Sequence, residues 1–259
     1  MLNFKNTNYF TVFASLCFLA LIVQDIISAW WMLVLFSGYL ITIIIGTFNI
    51  RLNFFLTAKH HNCTTINNEI ALTFDDGPHP EFTLKVLSLL NKYNAKATFF
   101  CIGKNIEKYP KIIDQIINEG HLLGNHSYSH TYNFGFFTVK KAIEDIEKTQ
   151  KILKNITNKE NKLFRPPFGV TNPNISRTVK ELNLQTFGWN IRSYDTIAKN
   201  PQKVIQKINS KLKKGSIVLL HDTSNLSCLV LEQLLQILDE NKIKSVTLNQ
   251  LFNNKSNAN

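Results

Sequence analysis

Two adjacent carboxylates stand at the end of an apolar run of strand length. The run covers residues 71–74, and Asp75 and Asp76 follow it directly. Two neighbouring carboxylates repel each other, so a buried strand end rarely holds such a pair without a cation to share. Gly77-Pro78 then turns the backbone, so the two side chains need not alternate onto opposite faces. A solvated turn is the simpler interpretation of this stretch alone, and the residues downstream reverse that preference.

A pair of histidines downstream adds further candidate metal ligands. His126 and His130 are four residues apart, so a helical turn or a comparable bend places both imidazoles on one side. Together with Asp76 they form a set of two histidines and one carboxylate. This set suits zinc with an open position for water, although iron, cobalt or nickel accept similar ligands. Because no dioxygen or organic-cofactor motif accompanies the set, hydrolysis is the simpler chemistry.

Other reactive side chains follow later apolar runs. Arg165 ends one run, Asp195 comes shortly after Trp189, and His221 ends another run. In barrels built from parallel strands, catalytic groups gather at the C-terminal ends of the strands. We therefore expect these residues to converge with the aspartates and histidines above.

The elements that must position these residues are indicated by alternating patterns from Glu69 onward, where short apolar runs alternate with amphipathic segments of helical period. The predicted strands cover residues 69–74, 96–101, 121–124, 162–165, 184–189, 216–220 and 243–247. The predicted helices cover residues 80–93, 105–119, 138–154, 172–183, 200–213 and 227–241. The alternation predicts an α/β domain with parallel strands and crossover helices, either closed into a barrel or open as a doubly wound sheet.

The motifs together resemble those of the polysaccharide deacetylases, the metal-dependent de-N-acetylases with the NodB homology domain (carbohydrate esterase family four). The matching segments, in the order of the family, are residues 73–78, 126–130, 165–169, 189–195 and 219–222. The resemblance covers roughly residues 66–250. It implies a distorted (β/α)7 barrel, in keeping with the seven strands predicted above.

The resemblance also implies a role for each reactive residue. Asp76, His126 and His130 would hold a divalent metal, with zinc expected and cobalt or another divalent ion as the alternative. Asp75 would be the general base that takes a proton from the attacking water. His221 would be the general acid that protonates the departing amine.

Supporting roles follow from the same resemblance. Arg165 would pair with the base Asp75 and keep it ionised and oriented. Asp195 would partner the acid His221, and Ser127 would support the loop that carries the metal ligands.

The resemblance places three residues around the acetyl group of the substrate. Trp189 and Leu219 would line the acetyl pocket, and the backbone N–H near Phe168 would hold the oxyanion. The family often has a tyrosine where this chain has Phe168. If that hydroxyl contacts the sugar, the substrate preference of this chain differs.

The substrate that the resemblance implies is an N-acetylated amino sugar of a polysaccharide, peptidoglycan or a chitin-like glycan. Three alternatives stay open. The chain could deacylate a lipid-linked sugar at the cytoplasmic face of the membrane, or it could act on an amide that is not a sugar. It could also be a non-catalytic carbohydrate-binding protein on the same fold.

The N-terminal part of the chain carries two apolar stretches, residues 9–23 and 26–50, separated only by Gln24 and Asp25. The second is long enough to cross a bilayer, and the first needs its flanks to do so. A cleaved signal peptide and a buried soluble hairpin are the alternatives, but no small-residue cleavage site is evident. We divide the chain into a transmembrane hairpin (1–50), a linker (51–65), the catalytic domain (66–252) and a polar tail (253–259).

The charges around this hairpin and the expected function point to opposite faces of the membrane. Lys5 precedes the hairpin, Arg51 and Lys59 follow it, and Asp25 lies in its turn, so the positive-inside rule favours both ends in the cytoplasm. A role in the cell wall favours the outer, periplasmic face. We expect a multi-pass protein of the bacterial inner membrane with its catalytic domain outside.

The composition excludes some partners. The net charge is +11, but the lysines are dispersed, and no basic run with interleaved aromatic residues indicates nucleic-acid binding. The four cysteines include no CxxC pair, so neither a disulfide framework nor a thiolate zinc site is indicated. The sequence carries no signal of an oligomeric state.

Overall fold

Short parallel strands form one curled sheet in the computed structural model, which describes residues 3–253. The strands within this range are β1 (Ala58–Lys59), β2 (Glu69–Asp75), β3 (Ala97–Cys101), β4 (Leu122–Asn125), β5 (Leu163–Phe164), β6 (Gln185–Phe187), β7 (Ile191–Arg192), β8 (Ile217–His221) and β9 (Lys244–Ser245). They lie in the order β1-β6-β5-β4-β3-β2-β8-β7, and β9 pairs with β2. Every pairing of these strands is parallel.

Helices connect the strands and cover the outer face of the sheet. They are α1 (Phe4–Val23), α2 (Trp30–Phe48), α3 (Phe82–Lys92), α4 (Gly103–Lys108), α5 (Pro110–Asn118), α6 (Val139–Thr157), α7 (Pro173–Glu181), α8 (Pro201–Asn209), α9 (Asn225–Glu240) and α10 (Leu248–Asn253). Single 3-10 turns occupy Ile50–Leu52, Phe134–Phe136 and Pro167–Gly169.

The segment between β6 and β7 spans the gap between the two ends of the sheet. Gly188 N donates to Lys59 O of β1 over 2.9 Å, and Asn190 N donates to Ile217 O of β8 over 3.2 Å. The sheet therefore curls into a distorted barrel. The predicted (β/α)7 architecture is confirmed.

The central strand β2 has both faces buried, as expected for a parallel strand covered on each side. Leu72 and Phe74 pack in the large outer core beneath the helices, where the Phe74 and Phe99 rings stack. The smaller Ala71 and Thr73 point the other way. Their small side chains leave room inside the barrel for the buried side chain of Arg165, which contacts Thr73.

The predicted elements differ from the observed ones mainly at their ends and in short pieces. The predicted helix 105–119 is two helices, α4 and α5, because Pro110 lacks an N–H and disfavours helical geometry at Tyr109, which has φ −130° and ψ 55°. The elements β7, α10 and β1 were not predicted from the sequence. Strand β1 lies within the predicted linker 51–65, and the domain boundaries themselves stay predictions.

The predicted hairpin consists of the antiparallel pair α1 and α2, in which almost no residue is buried. Both helices are long and apolar enough to cross a membrane by length and composition, a test that a signal sequence also passes. Tyr39 Oη donates to Asn8 Oδ1 over 2.9 Å and links them. The predicted tail 253–259 lies outside the described residues apart from Asn253.

The end of the hairpin is joined to the domain by hydrogen bonds. Phe4 N donates to Phe54 O over 2.9 Å, and Thr171 N donates to Thr47 O over 3.0 Å. Gly46 faces the Phe54 ring so closely that a β-carbon would collide with it. Because Thr171 lies in the loop after β5, α2 ends beside the face of the barrel where the strands end.

Candidate active site

The C-terminal ends of β2, β4 and β8 bring the reactive residues together. Asp75 is the register partner of His221 on the neighbouring strand, and His126 follows the last residue of β4. Asp76 has φ 76°, in the left-handed region, so its side chain leaves the alternation of the strand. The turn is tight at Gly77, where a β-carbon would collide with the Asp222 carboxylate.

Asp76, His126 and His130 form a candidate metal centre. Their ligand atoms all lie within 4.8 Å of one another. Asp76 Oδ1 lies 3.2 Å from His130 Nε2 and 3.4 Å from His126 Nε2.

Two observations show that a divalent cation fits this set of donors. His126 Nδ1 donates to Arg165 O over 2.8 Å, which leaves the Nε2 lone pair directed at the site. His130 Nε2 is buried and has no hydrogen-bond partner in the described structure. A buried nitrogen without a partner is costly unless a ligand satisfies it. Two imidazole nitrogens and a carboxylate oxygen are donors that zinc and similar ions accept.

The loop that carries the histidines is a bend, not a helical turn. Ser127 and His130 have positive φ values of 66° and 47°. Ser127 Oγ accepts from His130 N over 3.1 Å, and Asn125 Oδ1 accepts from Ser127 N over 2.8 Å. These bonds fix the direction in which both imidazoles point.

Asp145 of α6 also holds this loop, a role that was not predicted from the sequence. Its Oδ1 accepts from Tyr128 N over 2.8 Å, and its Oδ2 accepts from Ser129 N over 3.2 Å. In the sequence Asp145 is one more charged residue of an amphipathic helix. No local signal distinguishes it from the solvated positions around it.

Arg165 is fully buried and holds Asp75. Its Nη1 donates to Asp75 Oδ1 over 2.7 Å and to Thr73 Oγ1 over 2.9 Å, while Nε and Nη2 donate to the carbonyls of Phe187 and Gly188. Burial lowers the pKa of Arg165, and the Asp75 charge opposes that effect. Asp75 Oδ2 stays free of this pairing and lies 3.8 Å from His126 Nε2, on the side of the candidate metal centre.

His221 is held by the buried carboxylate of Asp195. Its Nδ1 donates to Asp195 Oδ1 over 2.8 Å, and its backbone N donates to Asp195 Oδ2 over 2.9 Å. Ser193 Oγ donates to Asp195 Oδ1 over 2.7 Å, a contact that was not predicted from the sequence. The opposite ring nitrogen, Nε2, lies 4.0 Å from Asp76 Oδ2.

The charges of the site shift several pKa values. Burial alone would lower the pKa of His221, but the hydrogen bond and charge of Asp195, together with Asp75 and Asp76, raise it to about 9. Burial and the His126 charge lower the pKa of His130 to about 4, which keeps this imidazole neutral, as a metal ligand must be. Burial acts to raise the pKa of Asp76, but the surrounding histidines lower it overall.

The three residues predicted around the acetyl group lie at the edge of this cluster. Phe168 has φ 60°, and its ring lies 4.7 Å from the His130 ring between centroids. Within residues 3–253 the Phe168 N–H has no hydrogen-bond acceptor. Trp189 and Leu219 are buried in one apolar cluster, and the Trp189 ring packs against Gly169.

Seven of the predicted site residues therefore form one contiguous polar cluster, and Phe168, Trp189 and Leu219 flank it. The cluster consists of Asp75, Asp76, His126, His130, Arg165, Asp195 and His221. Tyr132, which the sequence analysis did not single out, is almost fully exposed and stacks on Phe168 at 5.8 Å between ring centroids.

Comparison with known proteins identifies the family of this chain. The family model for polysaccharide deacetylase matches residues 62–187. Two peptidoglycan-N-acetylglucosamine deacetylases of Bacillus cereus are each 38% identical to this chain. One alignment covers 73% of this chain and 91% of the relative, and the other covers 60% and 56%. The chain thus spans little more than half the length of the second relative.

Solved structures are also similar to this chain. The Bc1960 peptidoglycan N-acetylglucosamine deacetylase, in complex with 4-naphthalen-1-yl-N-oxidanyl-benzamide, has a TM-score of 0.70 and 33% identity, with 76% of this chain and 92% of that chain covered. A family 4 acetyl xylan esterase of Clostridium thermocellum, in complex with a cobalt ion, has a TM-score of 0.66 and 30% identity, covering 71% and 90%. The present chain therefore belongs to the polysaccharide deacetylase family, carbohydrate esterase family four.

Proposed function

We propose that this chain hydrolyses the N-acetyl group of an amino sugar in a cell-wall glycan, with peptidoglycan as the first substrate to test. The observation that carries the proposal is the placement of a carboxylate and an imidazolium on two sides of the Asp76, His126 and His130 set. Asp75 approaches it from β2 and His221 from β8. The activities named for the Bacillus cereus relatives support the choice of peptidoglycan.

Asp76, His126 and His130 would hold the divalent ion, with zinc as the first ion to test and cobalt as the second. Such an ion supplies Lewis-acid chemistry, which lowers the pKa of a bound water to about 7. The cobalt-containing esterase relative supports a divalent ion at this site.

Asp75 is the proposed general base. Arg165 donates to Asp75 Oδ1, so Oδ2 is the oxygen left to accept the proton of the attacking water. A carboxylate held by a buried guanidinium keeps its orientation through the reaction. Proton transfer to a positioned base of this kind contributes about 10²–10⁴-fold to the rate.

His221 is the proposed general acid. An amide nitrogen is a poor leaving group unless it is protonated, and the raised pKa of His221 keeps a proton on its ring at neutral pH. Because Asp195 accepts from Nδ1, the proton on Nε2 is the one directed at the site. Asp195 acts through His221 as a positioning residue.

The Phe168 N–H, which has no acceptor in the described part of the protein, is the proposed donor to the oxyanion of the tetrahedral intermediate. Trp189 and Leu219 are the proposed apolar wall for the acetyl methyl group. The stacked rings of Phe168 and Tyr132 offer an exposed flat surface at the rim, on which the apolar face of a sugar ring could lie.

We further propose that α1 and α2 anchor the protein in the bacterial inner membrane, with the domain on the outer face. The exposed apolar side chains of both helices support anchoring, and a cell-wall substrate supports the outer face. Addition of protease to intact spheroplasts should digest the domain. A fully protected domain would favour a lipid-linked sugar at the cytoplasmic face instead.

Release of acetate from a panel of substrates tests the activity. The full chain, supplied with zinc, is incubated with N-acetylated peptidoglycan, acetylated chito-oligomers and small non-sugar amides. Acetate from the glycans alone supports the proposal. Acetate from the small amides alone would overturn the substrate class. Glycan binding without acetate release, by a zinc-loaded protein, would identify a non-catalytic carbohydrate-binding protein.

A further inference from the structure

A cavity of about 210 Å³ lies between the end of the hairpin and the domain, and none of the seven residues of the polar cluster lines it. One wall is formed by residues 48–51, which follow α2. The opposite wall is formed by residues between 189 and 194, with Lys207 and Lys211. The proposed deacetylation uses none of the charged residues of this cavity.

Four of the residues that line the cavity carry a positive charge, and none carries a negative one. The cations are Arg51, Arg192, Lys207 and Lys211. None of the four forms an ion pair with another residue of the range 3–253. The four positive charges around the cavity repel one another. An anion bound between them would attract all four and offset that repulsion.

Two of the four cations, Arg192 and Lys207, lie beside the same aromatic ring. The Arg192 guanidinium lies 5.0 Å from the Tyr194 ring centroid, and Lys207 Nζ lies 3.6 Å from the same centroid. Tyr194 therefore holds two of the cations at the same wall of the cavity. A guanidinium offers a planar fork of donors that matches phosphate oxygens, and an ammonium adds a compact charge.

The cavity also lies at the level where a membrane would present phosphate. Helix α2 ends at Phe48, which is exposed, and residues 49–51 continue directly into the cavity wall. The end of a helix long enough to cross the apolar core of a bilayer reaches the headgroup region. The bonds from Thr171 to Gly46 and Thr47 hold the domain against this end of the helix.

We propose that this cavity binds the phosphate of a membrane lipid headgroup. The phosphate can belong to an anionic phospholipid of the bilayer or to the diphosphate of a lipid-linked glycan. Trp189 forms part of the cavity wall and also packs against Gly169 in the active-site loop. The Trp189 side chain therefore connects the cavity to that loop. The inference rests on the anchor helices and not on the deacetylase activity.

Tryptophan fluorescence of the full chain in uncharged detergent micelles tests the proposal. The chain has three tryptophans, so the Trp30→Phe/Trp31→Phe variant leaves Trp189 as the sole reporter. The probes are dihexanoyl phosphatidylglycerol, dihexanoyl phosphatidylcholine, farnesyl diphosphate and inorganic phosphate. We expect a saturable change in Trp189 emission with phosphatidylglycerol or farnesyl diphosphate, at lower concentration than with the other two probes. The tighter of the two expected ligands identifies which lipid supplies the phosphate.

A matched pair of variants tests whether the lysines of the cavity cause the binding. Lys207→Gln/Lys211→Gln should raise the half-saturating concentration at least about tenfold, as the loss of two cations near anionic lipid predicts. Lys203→Gln/Lys213→Gln removes the same charge from exposed positions that do not line the cavity. This variant should change the half-saturating concentration less than about twofold. Circular dichroism confirms that each variant is folded.

Three results would overturn the proposal. The first is no saturable response of Trp189 to either anionic lipid. The second is inorganic phosphate that binds as tightly as the lipids do, which would make the cavity a general anion site. The third is an equal loss of lipid affinity in the two double lysine variants, which would show that the net charge of the protein, and not the cavity, causes the binding. None of these readouts depends on acetate release, so they are separate from any failure of the proposed function.

Discussion

Asp75 and His221 are register partners on the neighbouring parallel strands β2 and β8, yet each is held by a different buried partner. Arg165 donates to Asp75 over 2.7 Å, and Asp195 accepts from His221 over 2.8 Å. The guanidinium stabilises the negative form of one residue, and the carboxylate stabilises the positive form of the other. Two adjacent strand ends thus present a proposed base and a proposed acid, each with its own buried partner.

Replacing the proposed base tests the first of these transfers. Asp75→Asn should lower kcat about 10²–10⁴-fold, since the amide cannot accept the proton of the attacking water. The thermal midpoint should fall as well, because Arg165 keeps a buried charge without a counterion. Acetate release and thermal unfolding measure the two effects. Asp239→Asn, on the exposed side of α9, is the matched control, and wild-type turnover by Asp75→Asn would remove Asp75 from the mechanism.

The pH dependence of activity tests the pairing of His221 with Asp195. His221 must be protonated to act as the acid, so activity is lost as the pH rises through its pKa, which is about 9. Asp195→Asn removes the charge that raises this pKa, and the alkaline limb of kcat/KM should therefore move to lower pH. His221→Asn should lower kcat about 10²–10⁴-fold. An alkaline limb that Asp195→Asn leaves in place would mean that another group titrates there.

Asp145 should contribute to metal binding although it is not a ligand. It accepts from the backbone of Tyr128 and Ser129 in the loop that carries both histidines. Asp145→Ala should weaken zinc binding about 10–100-fold, as loss of an outer-shell partner does. Competition with a chromogenic chelator measures the affinity. Glu144→Ala, an exposed neighbour on the same helix, should bind zinc like the wild type, and equal behaviour of the two variants would refute the role of Asp145.

The tight turn after β2 should depend on the contact between Gly77 and Asp222. Gly77→Ala places a methyl group against the Asp222 carboxylate and should destabilise the protein by about 1–3 kcal/mol. Asp222→Ala removes that obstacle, so the double variant should be more stable than the sum of the two single effects predicts. Denaturant unfolding of all three variants measures this. Strict additivity would show that the collision is relieved in some other way.

The sequence predicted the convergence of the reactive residues because parallel strands present their C-terminal ends on one side. Asp75, His126 and His221 each follow an apolar run, and this pattern is visible without any structure. The contacts of Asp145 and of Ser193 were not predictable in this way, because a polar residue in a helix or loop has the same appearance whether it faces solvent or a buried backbone N–H.

The short elements were missed for a related reason. Strand β1 has only two residues, Ala58 and Lys59, in a polar segment, so it shows no alternation that a pattern could detect. It pairs with β6 at one end of the sheet, and this pairing is set by the tertiary fold and not by the local sequence. The break between α4 and α5, in contrast, was foreseeable from Pro110, since a proline disfavours helical geometry in the residue before it.

Zinc content tests the central claim most directly, because it asks whether residues distant in sequence hold one ion. The purified wild-type protein and the Asp75→Asn variant are dialysed into buffer that contains zinc, and bound zinc is measured by mass spectrometry. Each protein should contain one equivalent of zinc per chain. His126→Ala/His130→Ala should contain none. Chelation should abolish the wild-type activity, and zinc or cobalt should restore it. A full equivalent of zinc in the double variant, or activity indifferent to the chelator, would contradict the account.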